Sequence, residues 1–341
     1  MKLVSYKNNG QVSLGILIDD KVYNLSSSAS ACSMALPDNM LDFLIGGSDF
    51  MNTARTVVHS ISTETDKFIS VADPVLVAPI PNPPSCRDAY AFRQHVATAR
   101  RNRGVDMIPE FDQYPVFYFT NHNAISGGGI VEVEADHMEK LDFELEAAII
   151  IGKHGKNIEA KDADEYIAGF TIMNDLSARV LQMEEMKLNL GPAKGKDFST
   201  TIGPWLVTSD ELEECKIETE FGNKYDLSMK AFHNGKQISS GNFKDMNWTF
   251  GEIIERVSYG VEIFPGDVIG SGTVGTGCYL ELNGTAALEA KASGEEFNPI
   301  WLKDSDNIEL EIDRLGKLSN QIKLSETKRS ILAKKKIAET V

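Results

Sequence analysis

The sequence predicts an α+β protein in which a small N-terminal α+β domain precedes a larger, β-rich domain. Residues 1–25 alternate polar and apolar side chains, the period of a half-buried strand, and residues 39–61 carry apolar side chains at helical spacing. A proline-rich segment then interrupts the chain. Beyond residue 85 most apolar runs are short and bounded by turn residues, as is typical of strands.

The first 61 residues supply the elements of the small domain. Asn8-Asn9-Gly10 and Asp19-Asp20 interrupt the first apolar runs, which predicts a meander of hairpins. An amphipathic helix is predicted over residues 39–61. Its expected buried positions are Met40, Phe43, Leu44, Val57 and Ile61.

A domain boundary is predicted at residues 77–84. Four of the last six residues of this segment are proline, which neither a helix interior nor a central strand accommodates. We therefore expect a small N-terminal domain over residues 1–76, a second domain over residues 77–323 and a basic tail over residues 324–341. The tail has four Lys and one Arg after Glu326 and is predicted to be a frayed helix or an extended end.

The second domain is predicted to consist mainly of strands. The clearest strand patterns are residues 145–151, 205–208, 227–232, 279–282 and 308–312. Helical stretches are predicted near residues 161–168, 175–186 and 248–258. The chain has no internal repeat at a solenoid or propeller period.

Composition and charge exclude several classes of protein. The formal net charge of −16 repels nucleic acid, and no basic stripe offsets it. The four cysteines include no Cys-x-x-Cys pair, so we expect neither a zinc ribbon nor a disulfide framework. No stretch approaches the roughly 18 apolar residues of a membrane helix, and the N-terminus lacks a signal-peptide pattern. We therefore expect a cytoplasmic enzyme that binds neither nucleic acid nor a membrane.

Acidic residues lead into a predicted buried strand. Glu144 and Glu146 are two residues apart, so they point to the same face of a strand, with Asp142 in phase. Carboxylates held together on one face repel each other unless a cation lies between them. Such oxygen ligands suit Mg²⁺, Mn²⁺ or Ca²⁺. The alternative is an exposed acidic strand end.

Two predicted helices offer further polar side chains. Asp175 is positioned either to cap the helix that follows it or to supply a third carboxylate. Arg179 and Gln182 would share a face of that helix. Asp88 and His95 are seven residues apart, which places them on one face of an earlier helix. His95 is either a general base for activating water or a structural histidine.

Two glycine-containing loops complete the candidate site. Residues 190–201 form a Gly/Lys loop that can bring a cation and backbone amides to an anionic substrate, although it lacks phosphate-loop spacing. The glycines of residues 264–275 permit tight turns and close approach of the backbone to a ligand. Glu281 is predicted on the strand just beyond, over residues 279–282.

Taken in order, these five segments resemble the fumarylacetoacetate hydrolase family. The resemblance covers about residues 80–316, nearly the whole second domain. It implies a β-rich catalytic domain built from a mixed sheet or β-roll, and a homodimer. It also implies one divalent cation, Mg²⁺ in the first place, with Ca²⁺ and Mn²⁺ as alternatives.

The resemblance further implies a role for each matching residue. The implied metal ligands are Asp88, Glu144, Glu146 and Asp175. The implied catalytic groups are His95, its orienting acid Glu281, and the oxyanion- and substrate-holding Arg179, Gln182 and Lys196. The implied substrate contacts are Tyr90, Arg103, Tyr118 and Thr273, with Arg100 and Arg101 as competitors for the place of Arg103.

Several segments are similar to the fumarylacetoacetase branch of the family. These are the block from Asp88 to His95, residues 190–192 and residues 242–249, whereas Met186 departs from a substrate-contacting Tyr of that branch. The implied reaction is hydrolysis of a carbon–carbon bond in a 1,3-diketo acid. Its implied form is 4-fumarylacetoacetate to fumarate and acetoacetate, in tyrosine and phenylalanine breakdown. The alternatives are an acylpyruvate hydrolase, an oxaloacetate decarboxylase or tautomerase with the same metal site, and a catalytically silent binding protein.

Overall fold

The computed structural model describes residues 1–8, 10–327 and 329–332. The strands in these residues are β1 Lys2–Asn8, β2 Gln11–Ile18, β3 Lys21–Asn24, β4 Val75–Leu76, β5 Cys86–Ala89, β6 Phe117–Thr120, β7 Ile125–Ser126, β8 Gly129–Val133, β9 Leu141–Asp142, β10 Leu145–Ile151, β11 Gly155–Lys156, β12 Ile167–Asp175, β13 Ser177–Ala178, β14 Thr200–Val207, β15 Lys216–Ile217, β16 Lys224–Tyr225, β17 Ser228–His233, β18 Lys236–Asn242, β19 Glu262–Ile263, β20 Val268–Gly270, β21 Asn307–Ile312 and β22 Gly316–Leu324. The α-helices are α1 Leu25–Ala31, α2 Met40–Ile45, α3 Gly47–Thr63, α4 Arg93–Asn102, α5 Ala135–Met138, α6 Arg179–Met186, α7 Phe250–Ser258 and α8 Tyr279–Ser293.

A mixed sheet of eleven strands forms the centre of the molecule. Its main path runs β3-β2-β1-β14-β12-β10-β20-β5-β6, with β4 paired to β1 and β7 paired to β14. The pairs β20–β5 and β14–β7 are parallel, while the neighbours of β10 are antiparallel to it. A second sheet, β18-β17-β21-β22-β8, packs against the first through a shared apolar core. The predicted α+β class with large mixed sheets is confirmed.

Strand β10 is buried on both faces. Ala147 and Ile149 belong to the core cluster that includes the five-stranded sheet and α7. Ala148 and Ile150 belong to the cluster that includes β1, β2 and the N-terminal helices. A strand covered on both sides reads as a continuous apolar run rather than an alternating one, as this one does. The packing fixes the backbone that carries Glu146.

The N-terminal segment contributes directly to the central sheet. The predicted meander is present as β1, β2 and β3, and the five apolar residues predicted to be buried in residues 39–61 are all buried. That segment forms two helices, because Gly47, the first residue of α3, adopts a left-handed φ of 57° two residues after α2 ends at Ile45. Strand β1 pairs with β14, with Lys2 opposite Val207. The division at residue 77 stays a prediction, and most of the predicted tail lies outside the described residues.

Three predictions of local structure have different outcomes. The helical stretch predicted near residues 161–168 is present as a 3₁₀ helix, Ala160–Tyr166, that leads into β12. Of the two roles left open for Asp175, capping of α6 is wrong, because Asp175 is the last residue of β12 and α6 begins at Arg179. Residues 279–282 are the first turn of α8 instead of a strand, because alternation over four residues does not separate a short strand from a helix end.

Candidate active site

Four buried carboxylates meet at neighbouring strands of the central sheet. Asp88 lies on β5, opposite Gly270 of β20. Glu146 lies on β10, Glu144 immediately precedes that strand, and Asp175 ends β12. One oxygen from each residue lies within 4.8 Å of the others, and all four side chains are buried. The structure thus brings together the four predicted ligands, which we call the carboxylate cluster.

The carboxylate cluster carries more negative charge than its surroundings neutralise. Burial, together with the charge of Asp175, raises the pKa of Asp88 from 3.8 to about 7. Burial and the charge of Asp88 hold the pKa of Glu146 well above its usual value. Glu144 is the exception: burial would raise its pKa, but the charges of Lys196, Arg179 and His95 together outweigh burial and lower the pKa to about 2. The cluster therefore favours an added positive charge.

Two carboxylate oxygens of the cluster lack a hydrogen-bond partner within the described ranges, which indicates the kind of cation that would supply the positive charge. Glu146 Oε2 and Asp175 Oδ1 are buried and find no hydrogen-bond partner among the described residues. Leaving a buried charged acceptor unsatisfied costs at least about 1–3 kcal/mol. The cluster consists of carboxylate oxygens, the ligand type that Mg²⁺, Mn²⁺ and Ca²⁺ prefer. These residues therefore fit a hard divalent cation.

Lys196 partly neutralises the cluster from the Gly/Lys loop. Its Nζ lies 2.5 Å from both Glu144 Oε2 and Asp175 Oδ2, and the side chain is buried. Burial lowers the pKa of Lys196, but the two carboxylates outweigh burial and raise it above its usual value. The preceding residue, Gly195, packs so closely on α6 that a Cβ there would lie 2.6 Å from the backbone nitrogen of Gln182. The loop is thus seated where a side chain at this position would not fit.

His95 and Glu281 form a buried pair beside the cluster. His95 Nδ1 lies 2.6 Å from Glu281 Oε2, and both side chains are buried. The other carboxylate oxygen, Oε1, accepts a hydrogen bond of 3.0 Å from the backbone N–H of Thr276. A carboxylate at Nδ1 holds the proton there and leaves Nε2 as the acceptor. The predicted shared helix face is wrong, since Asp88 lies on β5 and His95 on α4.

Arg179 and Gln182 lie on α6, as their spacing predicts, and contact each other. Arg179 Nη1 donates to Gln182 Oε1 over 2.8 Å. Arg179 Nη2 donates to Asp142 Oδ2 over 2.6 Å and to Glu144 Oε1 over 2.8 Å. The guanidinium therefore joins the cluster to a carboxylate outside it.

Three of the four predicted substrate contacts lie at this site. The Tyr118 hydroxyl donates to Asp175 Oδ2, and Thr273 Oγ1 lies 3.3 Å from Glu146 Oε1. The ring of Tyr90 packs edge-on against His95 with centroids 5.8 Å apart, and burial raises its pKa to about 12. Arg103 differs. It is exposed just beyond α4, and its Nε donates to the backbone oxygen of Ala99, so the structure does not bring it into contact with the cluster.

Two residues of the site were missed from the sequence. Asp142 was expected in phase with Glu144 and Glu146, but it lies on β9 and contacts Arg179 and the start of α8. Thr276 has a left-handed φ of 68°, which directs its N–H to Glu281. No local sequence pattern predicts the contact of Asp142 with α8, because it joins residues 137 apart. None predicts the positive φ of Thr276 either, because that conformation is rare for residues other than glycine.

A cleft of about 310 Å³ opens onto the cluster. Residues 118–122 line one side, and Pro192, Ala193, Lys196 and Asp197 line the other. Tyr118 and Lys196 belong to both the cleft and the site. A larger cavity of about 590 Å³ lies between the N-terminal helices and the start of β12, lined by residues such as Met51 and Lys153. Size alone would select the larger cavity, but Tyr118 and Lys196, which contact carboxylates of the cluster, mark the smaller one as the candidate substrate cleft.

In the part of the chain that the structure describes, every helix is too short or too polar to span a bilayer.

Known proteins are similar to this chain in sequence and in fold. The family described as "Fumarylacetoacetate (FAA) hydrolase C-terminal" matches residues 85–323. "Oxaloacetate tautomerase YisK" of Bacillus subtilis (strain 168) is 27% identical over 336 residues, which cover 94% of this chain and 100% of that protein. "Fumarylacetoacetase" of Oryza sativa subsp. japonica is 36% identical over 201 residues, which cover 50% of this chain and 46% of that protein.

A solved structure shows the same fold over nearly the whole length. It is that of maleylpyruvate hydrolase from Sphingobium sp. SYK-6 in complex with manganese(II) ion and pyruvate, with a TM-score of 0.64 and 20% identity, covering 96% of this chain and 100% of that one. The match over residues 85–323 accounts for most of the chain. The chain therefore belongs to the fumarylacetoacetate hydrolase family, whose enzymes use a divalent metal ion.

Proposed function

We propose that this protein hydrolyses a carbon–carbon bond in a small 1,3-diketo acid with the help of a divalent metal ion, and that its substrate is 4-fumarylacetoacetate. The observation that carries the proposal is the buried His95–Glu281 pair beside the carboxylate cluster. A base oriented by a carboxylate is what activation of water requires. Fumarate and acetoacetate would be the products, as in tyrosine and phenylalanine breakdown, and we propose that the enzyme is a cytoplasmic homodimer.

The carboxylate cluster is proposed to hold the metal. Its four residues would ligate Mg²⁺, or Mn²⁺ or Ca²⁺ in its place, and its two unpartnered oxygens support this assignment. When bound, such an ion polarises carbonyl oxygens and stabilises enolate charge. Lys196 would remain beside it, offsetting part of the charge of the cluster.

His95 is proposed to act as the base. Glu281 fixes the proton on Nδ1, so Nε2 takes a proton from water. The resulting hydroxide adds to one carbonyl carbon of the diketone. The bond from that carbonyl carbon to the central methylene then breaks, and its electron pair stays with the methylene fragment as an enolate. His95 returns the proton to the former methylene carbon. One water is consumed, and one carboxylic acid and one ketone are formed.

Polar groups around the cleft are proposed to hold the substrate and the developing oxyanion. Arg179, Gln182 and Lys196 would face the tetrahedral oxygen, since Arg179 and Lys196 contact Glu144 of the cluster and Gln182 contacts Arg179. Removing one such donor typically costs about 3–4 kcal/mol in the barrier. Tyr90, Arg103, Tyr118 and Thr273 are proposed to contact the remainder of the substrate.

A second candidate is tautomerisation of a 2-oxo acid such as oxaloacetate. The observation that favours it is the extent of similarity: the tautomerase relative matches 94% of this chain, whereas the fumarylacetoacetase relative matches 50%. Tautomerisation uses the same metal and a base, but water is not a reactant. Decarboxylation of oxaloacetate and hydrolysis of an acylpyruvate use the same site as well.

An isotope experiment separates these reactions. The enzyme is incubated with Mg²⁺ in H₂¹⁸O with fumarylacetoacetate, acetylpyruvate or enol-oxaloacetate, and the products are analysed by mass spectrometry. Hydrolysis places one ¹⁸O in the carboxylate formed from the attacked carbonyl, and chelation abolishes it. Rapid conversion of enol-oxaloacetate to the keto form, with no cleavage of either diketo acid, would overturn the hydrolase proposal in favour of the tautomerase.

A further inference from the structure

Asp142 is completely buried and accepts five hydrogen bonds, from its neighbour Phe143, from Arg179 of α6 and from the start of α8. Oδ1 accepts from the backbone N–H groups of Phe143 and Tyr279, at 2.9 and 2.7 Å. Oδ2 accepts from the backbone N–H of Leu280 at 2.9 Å and from Arg179, whose Nε and Nη2 lie 2.8 and 2.6 Å away. Both oxygens are therefore fully occupied by donors.

Two of those donors belong to the first turn of α8, which carries Glu281. The first N–H groups of a helix have no partner within the helix and are usually satisfied by a Ser, Thr, Asp or Asn at the N-cap. Here the N-cap is Cys278, which is not among the preferred capping residues. Asp142 takes over this role from a distant part of the chain, and its negative charge also suits the positive end of the helix dipole.

The other side of Asp142 faces the carboxylate cluster through Arg179. The pairing of β9 with β13 sets Asp142 opposite Ser177, two residues before Arg179. Arg179 Nη2 donates to Asp142 and also to Glu144, so one guanidinium nitrogen links the two carboxylates. The Asp142 side chain thus contacts Arg179, which donates to the candidate metal ligand Glu144. It also contacts the first turn of α8, which carries Glu281 of the candidate base pair.

We propose that Asp142 is a positioning residue that couples the carboxylate cluster to the His95–Glu281 pair, by holding Arg179 on one side and the first turn of α8 on the other. Its action on catalysis rests on the proposed function. Its action on geometry does not, because it concerns the hydrogen bond between His95 and Glu281 in the protein itself.

The test variant is Asp142→Asn. Every orientation of the amide turns an N–H₂ group toward existing donors, either Phe143 and Tyr279 or Leu280 and Arg179. Residues that orient a metal site through its ligands typically contribute about 10–100-fold, and we expect a fall in kcat of that size with KM changed less. Asp267→Asn is the matched control, because Asp267 is also buried beside an arginine, Arg87, at 3.6 Å.

Proton NMR provides a readout that needs no substrate. The His95 Nδ1–H proton in the short bond to Glu281 should give a downfield signal that is lost or shifted in Asp142→Asn and retained in Asp267→Asn, while equilibrium dialysis tracks Mg²⁺ binding. An unchanged signal in folded Asp142→Asn would overturn the proposal. If no diketo acid is turned over, the hydrolase proposal fails, but the NMR result still decides the role of Asp142.

A double-mutant cycle and a stability rescue separate positioning from plain stabilisation. If Asp142 acts through Glu281, Asp142→Asn should lower kcat far less in a Glu281→Gln background, whereas equal losses in both backgrounds would contradict it. Adding Cys278→Ser supplies a conventional N-cap to α8 and should raise the unfolding midpoint of Asp142→Asn, which also covers the case that the single variant does not fold. We expect kcat to stay low in that double variant. Full recovery of kcat would show that Asp142 is merely a helix cap.

Discussion

Replacing Glu281 with glutamine should damage turnover more than replacing it with alanine, although glutamine is the smaller change in shape. Glu281 Oε1 accepts from the Thr276 N–H, and Oε2 lies 2.6 Å from His95 Nδ1. In Glu281→Gln, the Thr276 N–H retains the amide oxygen, so the amide nitrogen is turned toward His95. Its hydrogen then requires Nδ1 to be an acceptor, and the imidazole proton moves to Nε2. The nitrogen that must accept a proton from water is blocked.

The size of the effect follows from that tautomer. The equivalent change in a Ser-His-Asp triad lowers kcat about 10⁴-fold by imposing the wrong tautomer, and we expect a loss of about 10³–10⁴-fold here, or about 4–5 kcal/mol. Glu281→Ala leaves a space in which water can accept the Nδ1 proton, so Nε2 stays available. Its loss should be smaller, on the order of 10²-fold.

The two variants should be compared by kcat with saturating Mg²⁺ and fumarylacetoacetate, alongside unfolding midpoints to confirm that both are folded. Nitrogen-15 NMR of the His95 ring would report the tautomer directly. The reasoning would be refuted if Glu281→Gln retained more than a tenth of the wild-type kcat, or if its kcat clearly exceeded that of Glu281→Ala. Either result would mean that Thr276 does not set the His95 tautomer by orienting the side chain at position 281.

Three further outcomes are expected. Lys196→Met leaves two buried carboxylates without the ammonium group that they share. A denaturant titration of the metal-free variant should therefore show a loss of about 3–5 kcal/mol in the free energy of unfolding. Mg²⁺ should restore part of this loss, and an unchanged unfolding midpoint would contradict the stabilising role of the ion pairs. The pKa of Asp88 rises from 3.8 to about 7 on folding, so the folded state retains a proton that the unfolded chain releases. In metal-free protein, this contribution to the free energy of unfolding is fully present below about pH 4. It is lost as the pH rises to about 7, at about 1.4 kcal/mol per pH unit. Saturating Mg²⁺ should remove this pH dependence, because the ion binds the ionised carboxylate. Gly195→Ala places a Cβ 2.6 Å from the Gln182 backbone nitrogen and should lower kcat by displacing the Gly/Lys loop. The control is Gly191→Ala, whose Cβ would have its nearest neighbours at 3.4 Å or more, and this variant should match the wild-type kcat.

The sequence was most informative where local periodicity and burial agree. The hairpins of residues 1–25 were predictable from their alternation, and β10 was predictable because its apolar run has the length of a strand and ends in three isoleucines. Residues 279–282 were misassigned because four alternating residues fit either a strand or the first turn of a helix. The pairing of β1 with β14 joins residues more than 200 apart, and no local pattern specifies such a contact.

The candidate site shows the same division between local and distant contacts. Glu144 and Glu146 were predictable as neighbours, since a strand directs residues two apart to one face. Asp175 was an open choice between a helix cap and a third carboxylate, and the resemblance to a family decided that choice and added Asp88; the structure places both beside the glutamates. Asp142 shows what was out of reach: its phase with the two glutamates was visible, but its contacts with α8 depend on how the chain folds back over 137 residues.

The arrangement also explains why reaction type is harder to predict than the site. The carboxylate cluster lies on central strands that are packed on both sides, so its geometry is fixed by the core, and under the proposed function it would serve any substrate that must form an enolate. The base pair lies on α4 and α8, and its link to the cluster passes through a few side chains such as Arg179 and Asp142. Hydrolysis and tautomerisation then differ in what His95 Nε2 faces, a water or a carbon-bound proton. That difference depends on the cleft walls rather than on the metal ligands, and so the oxygen isotope in the product, instead of metal dependence, distinguishes the two reactions.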